Sequence, residues 1–405
     1  LKIDSFKFIP HPDIELGIPR QEVEAFVVIP ESVSDRPPPL VITIPGYGQT
    51  ADSEYFREKL NSYIAERYGC LVMSVNYHGI RKAPQPFDFG QLPGLLMDLK
   101  DSYGWSPASA TNSQDAISEF VVWASSNGIK RLPLSMKRFL GFLYPEYLSF
   151  GFLPAIDHFV AIGELARKHR FDQRRIVLFG SSYGGYIANL MAKYAPNTFS
   201  LVIDNSGFAR VLLRDVLADE LLDGEQKRDI SYGQSKVIFP FTPSYPWTLD
   251  ELAPTYFSDA RRAIRSLLHM GQWAPAASRH CIFHSVADDL VPISEKDRMV
   301  EILRETGRTV DYHRVESSDI DGKIFKTAAH GMDASLRSLF EIAVPDVIPE
   351  LETMTDYELE SRANFLCGNE IYQFRYTPEY GFKAELHSNP NMLDLSHRMT
   401  LEIQN

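Results

Sequence analysis

A serine set among glycines where a strand turns into a helix needs only a base to become a nucleophile, and the chain holds such a place. Gly180-Ser181-Ser182-Tyr183-Gly184-Gly185 follows the apolar run Ile176–Phe179 and opens a second apolar run of helical period. The spacing is G-x-S-x-G with Ser182 at its centre. Glycines flank it because side chains beside so tight a turn would clash. The turn lifts Oγ above the sheet, and the start of the helix favours negative charge developing there. An ordinary glycine-rich helix start is the competing reading. The strand before and the apolar helix after weigh against it.

Serine attacks a carbonyl only when a histidine removes its proton and a carboxylate orients that histidine. On a strand-turn-helix nucleophile of this kind the chain order is serine, acid, histidine. His330 fits the last place, in Ala329-His330-Gly331-Met332, after the strand pattern Thr309–Val315 and before a helical stretch from Asp333. Asp288 is the expected acid, in His284-Ser285-Val286-Ala287-Asp288-Asp289, directly after an apolar strand pattern. Asp289 competes with it, as does Asp204 at the end of the preceding strand pattern. His280, His284 and His313 lie in extended runs. His280 and His284 are four apart but not on a helix, so no metal pair is expected from them.

The tetrahedral intermediate needs two backbone N–H donors. The amide of Tyr183 is one expectation. Tyr47 or Gly48 supplies the other, from Pro45-Gly46-Tyr47-Gly48 after the strand pattern Leu40–Ile44, unless that loop is a plain turn. His78 ends a neighbouring strand pattern and is a candidate for the pocket wall, with a structural role as the alternative.

These groups must be positioned by an α/β framework, a mostly parallel sheet flanked by helices. Strands are expected at Leu40–Ile44, Cys70–Val75, Arg175–Phe179, Ser200–Ile203 and Cys281–His284. Helices are expected after an Asp52 N-cap, over Ile156–Arg167 and Tyr183–Tyr194, and from a Ser294/Asp297 capping box to Gly307. Residues 1–345 read as one core with two insertions, about 80–154 and 208–278, rich in proline and aromatics such as Phe87, Phe89, Trp105, Trp123, Tyr144, Phe241, Tyr245 and Trp247. Structureless loops of that length are uncommon, so both are expected to fold, as a lid or cap over the strand ends or as oligomer contacts. Residues 346–405 form a C-terminal extension, where alternation around Thr377-Pro378-Glu379 suggests a hairpin.

Composition narrows the function classes. A net charge of −12 over 405 residues argues against nucleic acid and anionic membrane as partners. Three widely spaced cysteines suggest a reducing compartment rather than a disulfide framework. Residues 1–10 lack a basic stretch followed by an apolar core, so they are not expected to be a signal peptide. No P-loop, H-E-x-x-H, C-x-x-C or G-x-G-x-x-G is present, and neither cofactor nor metal is expected.

With its G-x-S-x-G, the later acid and the last-placed histidine, the chain resembles the α/β-hydrolase superfamily, in motif style the prolyl-oligopeptidase and acyl-esterase branches, over about residues 25–80 and 155–342. Val75-Asn76-Tyr77-His78, Gly180–Tyr186, Val202–Ser206, Phe283-His284-Ser285 and the opening Ile3-Asp4-Ser5-Phe6-Lys7 resemble an uncharacterised epsilonproteobacterial family often encoded near flagellar-glycan genes. That similarity spans most of the chain. It implies a bacterial cytoplasmic hydrolase of small acyl esters or acylated sugars. The short segment before the core, where the peptidase branch has a large N-terminal domain, argues against oligopeptidase activity. An acyltransferase with the same residues, or a non-catalytic accessory protein on this fold, are the alternatives; a homo-oligomer is compatible with either.

Overall fold

The computed structural model describes residues 1–31, 36–80, 92–109, 113–133, 135–136, 141–142, 146–213, 216–217, 227–232, 234–240, 242–243 and 247–389. Phe87, Phe89, Tyr144, Phe241 and Tyr245 lie outside these. The main sheet contains β1 (Lys2–Phe8), β2 (Val23–Ile29), β3 (Leu40–Ile44), β4 (Leu71–Asn76), β5 (Ile176–Ser181), β6 (Leu201–Asn205), β7 (Arg279–Ser285) and β8 (Thr309–Val315). Its order is β1-β2-β4-β3-β5-β6-β7-β8. From β4 across to β8 every pairing is parallel, and β2 runs against both of its neighbours.

The inner strands read LVITI and LVMSVN and are buried along their whole length. A parallel strand covered on both faces requires such continuous apolar runs. The edge strand β8 instead leaves Thr309, Asp311 and Arg314 exposed, and a charged edge discourages pairing with another chain. Parallel neighbours need crossovers. Tyr55–Tyr68 links β3 to β4, Tyr183–Tyr194 links β5 to β6, and Ile293–Glu305 links β7 to β8.

Two helix starts differ from expectation. Tyr55–Asn61 is wound as a π-helix whose N-cap is Glu54 rather than Asp52. It runs on into an α-helix that Gly69 ends in the left-handed region, at φ 59°. The helix after β7 begins at Ile293, with no side-chain cap. The Asp297 carboxylate instead accepts from Tyr312 Oη at 2.9 Å and Arg314 Nη1 at 3.0 Å, both on β8. Tertiary partners have outbid the local cap.

One face of the sheet packs Phe56, Leu60 and Ile64 with Leu339 and Phe340 against the apolar side chains of β4, β5 and β7. On other elements, every residue of Tyr183–Tyr194 is buried, and Phe152–Lys168 is buried except at Val160 and toward its C-terminal end. A helix apolar all round must be covered on all sides. The C-terminal extension does this. It is a three-stranded antiparallel sheet, β9 (Arg362–Cys367), β10 (Glu370–Thr377) and β11 (Gly381–Ser388), one strand more than the expected hairpin. Phe159 stacks on Phe382 at 4.9 Å, Tyr194 meets Phe374 at 4.7 Å, and Tyr376 Oη donates to the Tyr194 carbonyl at 2.9 Å.

The chain divides into two compact units, one of residues 1–81, 149–211 and 257–405, the other of 82–148 and 212–256. The second unit is therefore narrower than the expected insertions. Phe150 joins the first unit by packing on Tyr183 and Tyr186 at 5.5 and 5.4 Å, and Arg265 by a fully buried ion pair with Glu15. The second unit has its own core, where Leu95, Leu99, Trp105, Phe120, Val237 and Phe239 meet. Leu95 and Leu99 come from the helix Leu92–Tyr103, Phe120 from the helix Ser113–Ser126, and Trp105 from the segment between them. Val237 and Phe239 come from the strand Ser235–Pro240, which pairs with Lys227–Tyr232. Among the described residues no helix is long and apolar enough to cross a membrane.

Candidate active site

Ser182 sits between β5 and its following helix with φ 54° and ψ −121°, a conformation that L-residues rarely adopt. Packing enforces it. A Cβ on Gly180 would lie 2.2 Å from the Gly184 backbone, and one on Gly184 would lie 2.0 Å from the Ile44 carbonyl oxygen. The turn can therefore close only with glycine at both positions. The Ser182 amide donates to the Asn205 carbonyl at 2.7 Å, which ties the turn to β6.

His330 comes to Ser182 on the loop after β8. Its Nε2 lies 2.8 Å from Ser182 Oγ, and its Nδ1 lies 2.8 and 3.0 Å from the two carboxylate oxygens of Asp288. A carboxylate only accepts, so Nδ1 carries the hydrogen, and Nε2 is left to accept from the serine hydroxyl. Asp288 is buried at the end of β7, and its Oδ1 also accepts from the amides of Leu290 and Val291, both at 2.9 Å. Burial works to raise this carboxyl. The bonds from His330 and the two amides overcome it and hold the group below the ordinary aspartate range.

The competing acids stand elsewhere. Asp289 is exposed. Asp204 is fully buried, but its carboxylate is paired with Lys296 Nζ at 2.8 Å and accepts from Asn189 Nδ2 at 2.9 Å and the Gly207 amide at 2.7 Å. It binds β6 to two helices rather than to His330.

The loop after β3 lies against Ser182. A Cβ on Gly46 would stand 3.6 Å from that of Ser182, and the Tyr47 ring stacks on the Tyr183 ring at 4.2 Å and 9°. This stacking ties the loop after β3 to the start of the helix Tyr183–Tyr194. His78 is buried, and its backbone amide donates at 2.8 Å to Asp157, which Arg20 grips with two contacts of 2.7 Å. That bond to Asp157 fixes the His78 backbone.

Three residues support the site beyond those expected in it. Phe208 lies in the core rather than in the second insertion, and its ring stacks on the His330 imidazole at 5.8 Å and 11°. Ser285 Oγ donates to the Ala328 carbonyl at 2.6 Å and accepts from the Ala287 amide at 3.1 Å, so it joins the acid loop to the histidine loop. His284 is buried behind Asp288. Burial, aided by nearby Lys296, pushes it down to about 4, so it is neutral at pH 7. Its Nε2–H donates to the Val291 carbonyl at 3.0 Å, bracing the residue whose amide holds Asp288. The Phe283-His284-Ser285 string was the available signal, but only the fold gives its members these partners.

The sheet order, the strained serine turn and the serine–histidine–aspartate chain define an α/β-hydrolase fold. The chain belongs to the family described as "Protein of unknown function (DUF2920)", whose model matches residues 4–92 and 117–383. No curated protein matches its sequence. Among solved structures it is similar to a Pyrococcus horikoshii acylaminoacyl peptidase, at 15% identity and TM-score 0.47, over 87% of this chain and 42% of that one. A thermostable esterase gives 15% identity and TM-score 0.41, over 85% of this chain and 61% of that one. A Mycobacterium tuberculosis puromycin-hydrolyzing peptidase gives 15% identity and TM-score 0.42, over 82% and 38%. The chain thus spans less than two thirds of each of those proteins.

Proposed function

We propose that this protein is a serine hydrolase that cleaves small carboxylic esters through an acyl-serine intermediate. The observation that carries the reading is the hydrogen-bond chain from Ser182 Oγ through His330 to buried Asp288. In the first half-reaction the Ser182 proton passes to His330 Nε2 as Oγ bonds to the ester carbon. The carbonyl oxygen takes the negative charge beside the amides of Tyr183 and of Tyr47 or Gly48. Collapse breaks the bond to the alcohol, which leaves with the proton from His330. In the second, water gives its proton to His330 as its oxygen attacks the acyl carbon. Collapse then releases the acid and returns the proton to Ser182. Asp288 remains ionised throughout, orienting Nδ1–H and stabilising the imidazolium.

The aromatic surroundings of Ser182, namely Tyr47, Tyr183, Phe150 and Phe208, support a compact apolar acyl group. An acyl group on a sugar in a cytoplasmic setting is consistent with the sequence resemblance and with three free, buried cysteines. Two measurements test the reading. A fluorophosphonate probe should label the parent and Ser181→Ala stoichiometrically and leave Ser182→Ala unlabelled; equal labelling of Ser182→Ala removes the nucleophile. Across p-nitrophenyl esters from acetyl to palmitoyl, kcat/KM should fall with chain length. A maximum at long chains contradicts a small-acyl pocket.

A further inference from the structure

The pairing of β7 with β8 sets Cys281 directly opposite Asp311 and Phe283 opposite His313. Side chains two residues apart on a strand share a face, and a diagonal cross-strand neighbour is within reach of a long side chain. A thiol, a carboxylate and an imidazole therefore converge on one face, away from Ser182, His330 and Asp288. One donor atom from each lies within 4.8 Å of the others.

Three further features bear on what this cluster does. His313 Nε2 is 3.2 Å from Asp311 Oδ2, yet it is buried without a hydrogen-bond partner. Two donor atoms bound to one tetrahedral Zn²⁺ at about 2.0–2.2 Å stand about 3.3–3.6 Å apart, close to that spacing. The His313 ring is held in place by stacking on Phe283 at 4.6 Å and 13°. A cavity of about 230 Å³, lined by Cys281 and Asp311 with Ile342, Ala343 and Pro345, adjoins the cluster. It has room for a fourth ligand such as water.

We propose that Cys281, Asp311 and His313 form a binding site for a divalent transition metal of the Zn²⁺ type. The three donors must each draw in from within 4.8 Å to bonding distance, and the exposed Asp311 side chain is free to turn. A thiolate with an imidazole selects Zn²⁺ or Co²⁺ over the oxygen-seeking Mg²⁺ and Ca²⁺. Binding converts the Cys281 thiol to a thiolate and releases its proton to solvent, with no redox change. The metal would clip the exposed edge strand β8 to β7. This site is independent of the hydrolase reading.

Co²⁺ added to the metal-free full-length protein tests the proposal. One equivalent should bind and give a thiolate-to-cobalt charge-transfer band in the near ultraviolet, with tetrahedral visible bands that Zn²⁺ abolishes and Mg²⁺ does not. Cys281→Ser should lose the charge-transfer band. His313→Ala and Asp311→Asn, at half-buried and exposed positions where folding is little at risk, should each weaken binding by more than about 10-fold, the scale for losing even an outer-shell partner. The proposal is overturned if Co²⁺ does not bind, if it binds without a charge-transfer band, or if the band persists in Cys281→Ser. It is also overturned if His313→Ala and Asp311→Asn bind as tightly as the parent.

Discussion

Asp288, Asp289 and Asp204 carry the same functional group, and their surroundings assign them three different tasks. Asp288 bonds His330, Asp289 faces solvent, and Asp204 neutralises buried Lys296. Replacing Asp288 by Asn should lower kcat by about 10⁴, because the neutral amide no longer selects the Nδ1–H tautomer. Asp289→Asn should change neither turnover nor stability beyond about 0.5 kcal/mol. Asp204→Asn should cost about 3–5 kcal/mol of stability, since Lys296 is left buried without its counter-charge. The folded fraction of that variant should retain most of its turnover. Parallel ester kinetics and urea unfolding on the three proteins separate these outcomes. A 10⁴ loss of kcat in Asp204→Asn with unchanged unfolding would move the acid to β6.

The element that matters most is the turn from β5 into the helix Tyr183–Tyr194. The helix approaches β3 so closely that a methyl group on Gly184 would overlap the Ile44 carbonyl. Gly184→Ala should therefore destabilise by at least about 1–3 kcal/mol. It should also lower kcat, because relief of the clash shifts Ser182 relative to His330. Gly271, where an added Cβ meets nothing within 4 Å, is the control, and Gly271→Ala should be close to neutral. Thermal melting with kcat at a temperature where both variants are folded checks the pair. The C-terminal strands offer a second test. Phe374 is fully buried between β9, β11 and the end of the Tyr183–Tyr194 helix. Phe374→Ala should cost about 3–5 kcal/mol by chemical unfolding, although it is remote from Ser182 in sequence.

For the whole molecule, buried histidines set the acid limb of stability. Burial pushes both His158 and His284 down to about 4. In the unfolded chain each takes up a proton near the ordinary value of about 6.5, while in the folded protein each stays neutral down to about 4. The unfolded state thus binds more protons across that interval, and stability falls as pH falls through it. Their contribution is intact above pH 6.5 and is lost at up to about 1.4 kcal/mol per pH unit for each histidine. Asp288, held below its ordinary value, adds loss of the same sign at lower pH. His158 and His284 should together lower stability by up to about 4 kcal/mol between pH 7 and pH 5 in urea unfolding. His280, pushed down by burial as well, adds to that drop. A flat profile would mean that the two imidazoles already bear their protons in the folded state.

Local pattern alone determined the parallel strands β3 to β8, because inner parallel strands must be continuously apolar and are bounded by turn residues. The antiparallel β1 and β2 were not among the expected strands. Leu40–Ile44, Thr309–Val315 and the helix Tyr183–Tyr194 have the boundaries their periodicity implies. The Ser182 turn was equally legible, since its glycine spacing answers to short-range sterics. The tertiary structure decided what depends on partners distant in the chain. It set Asp288 against His330, paired Asp204 with Lys296 and left Asp289 exposed, which no spacing encodes. It drew Asp297 away from a helix cap to Tyr312 and Arg314, and placed Phe208 and residues 257–278 in the core. It set Cys281 beside Asp311 and His313, a juxtaposition that exists only once β7 and β8 pair in register. Backbone sterics act over a few residues and can be read along the chain. Burial and cross-strand registry act between segments that only folding brings together.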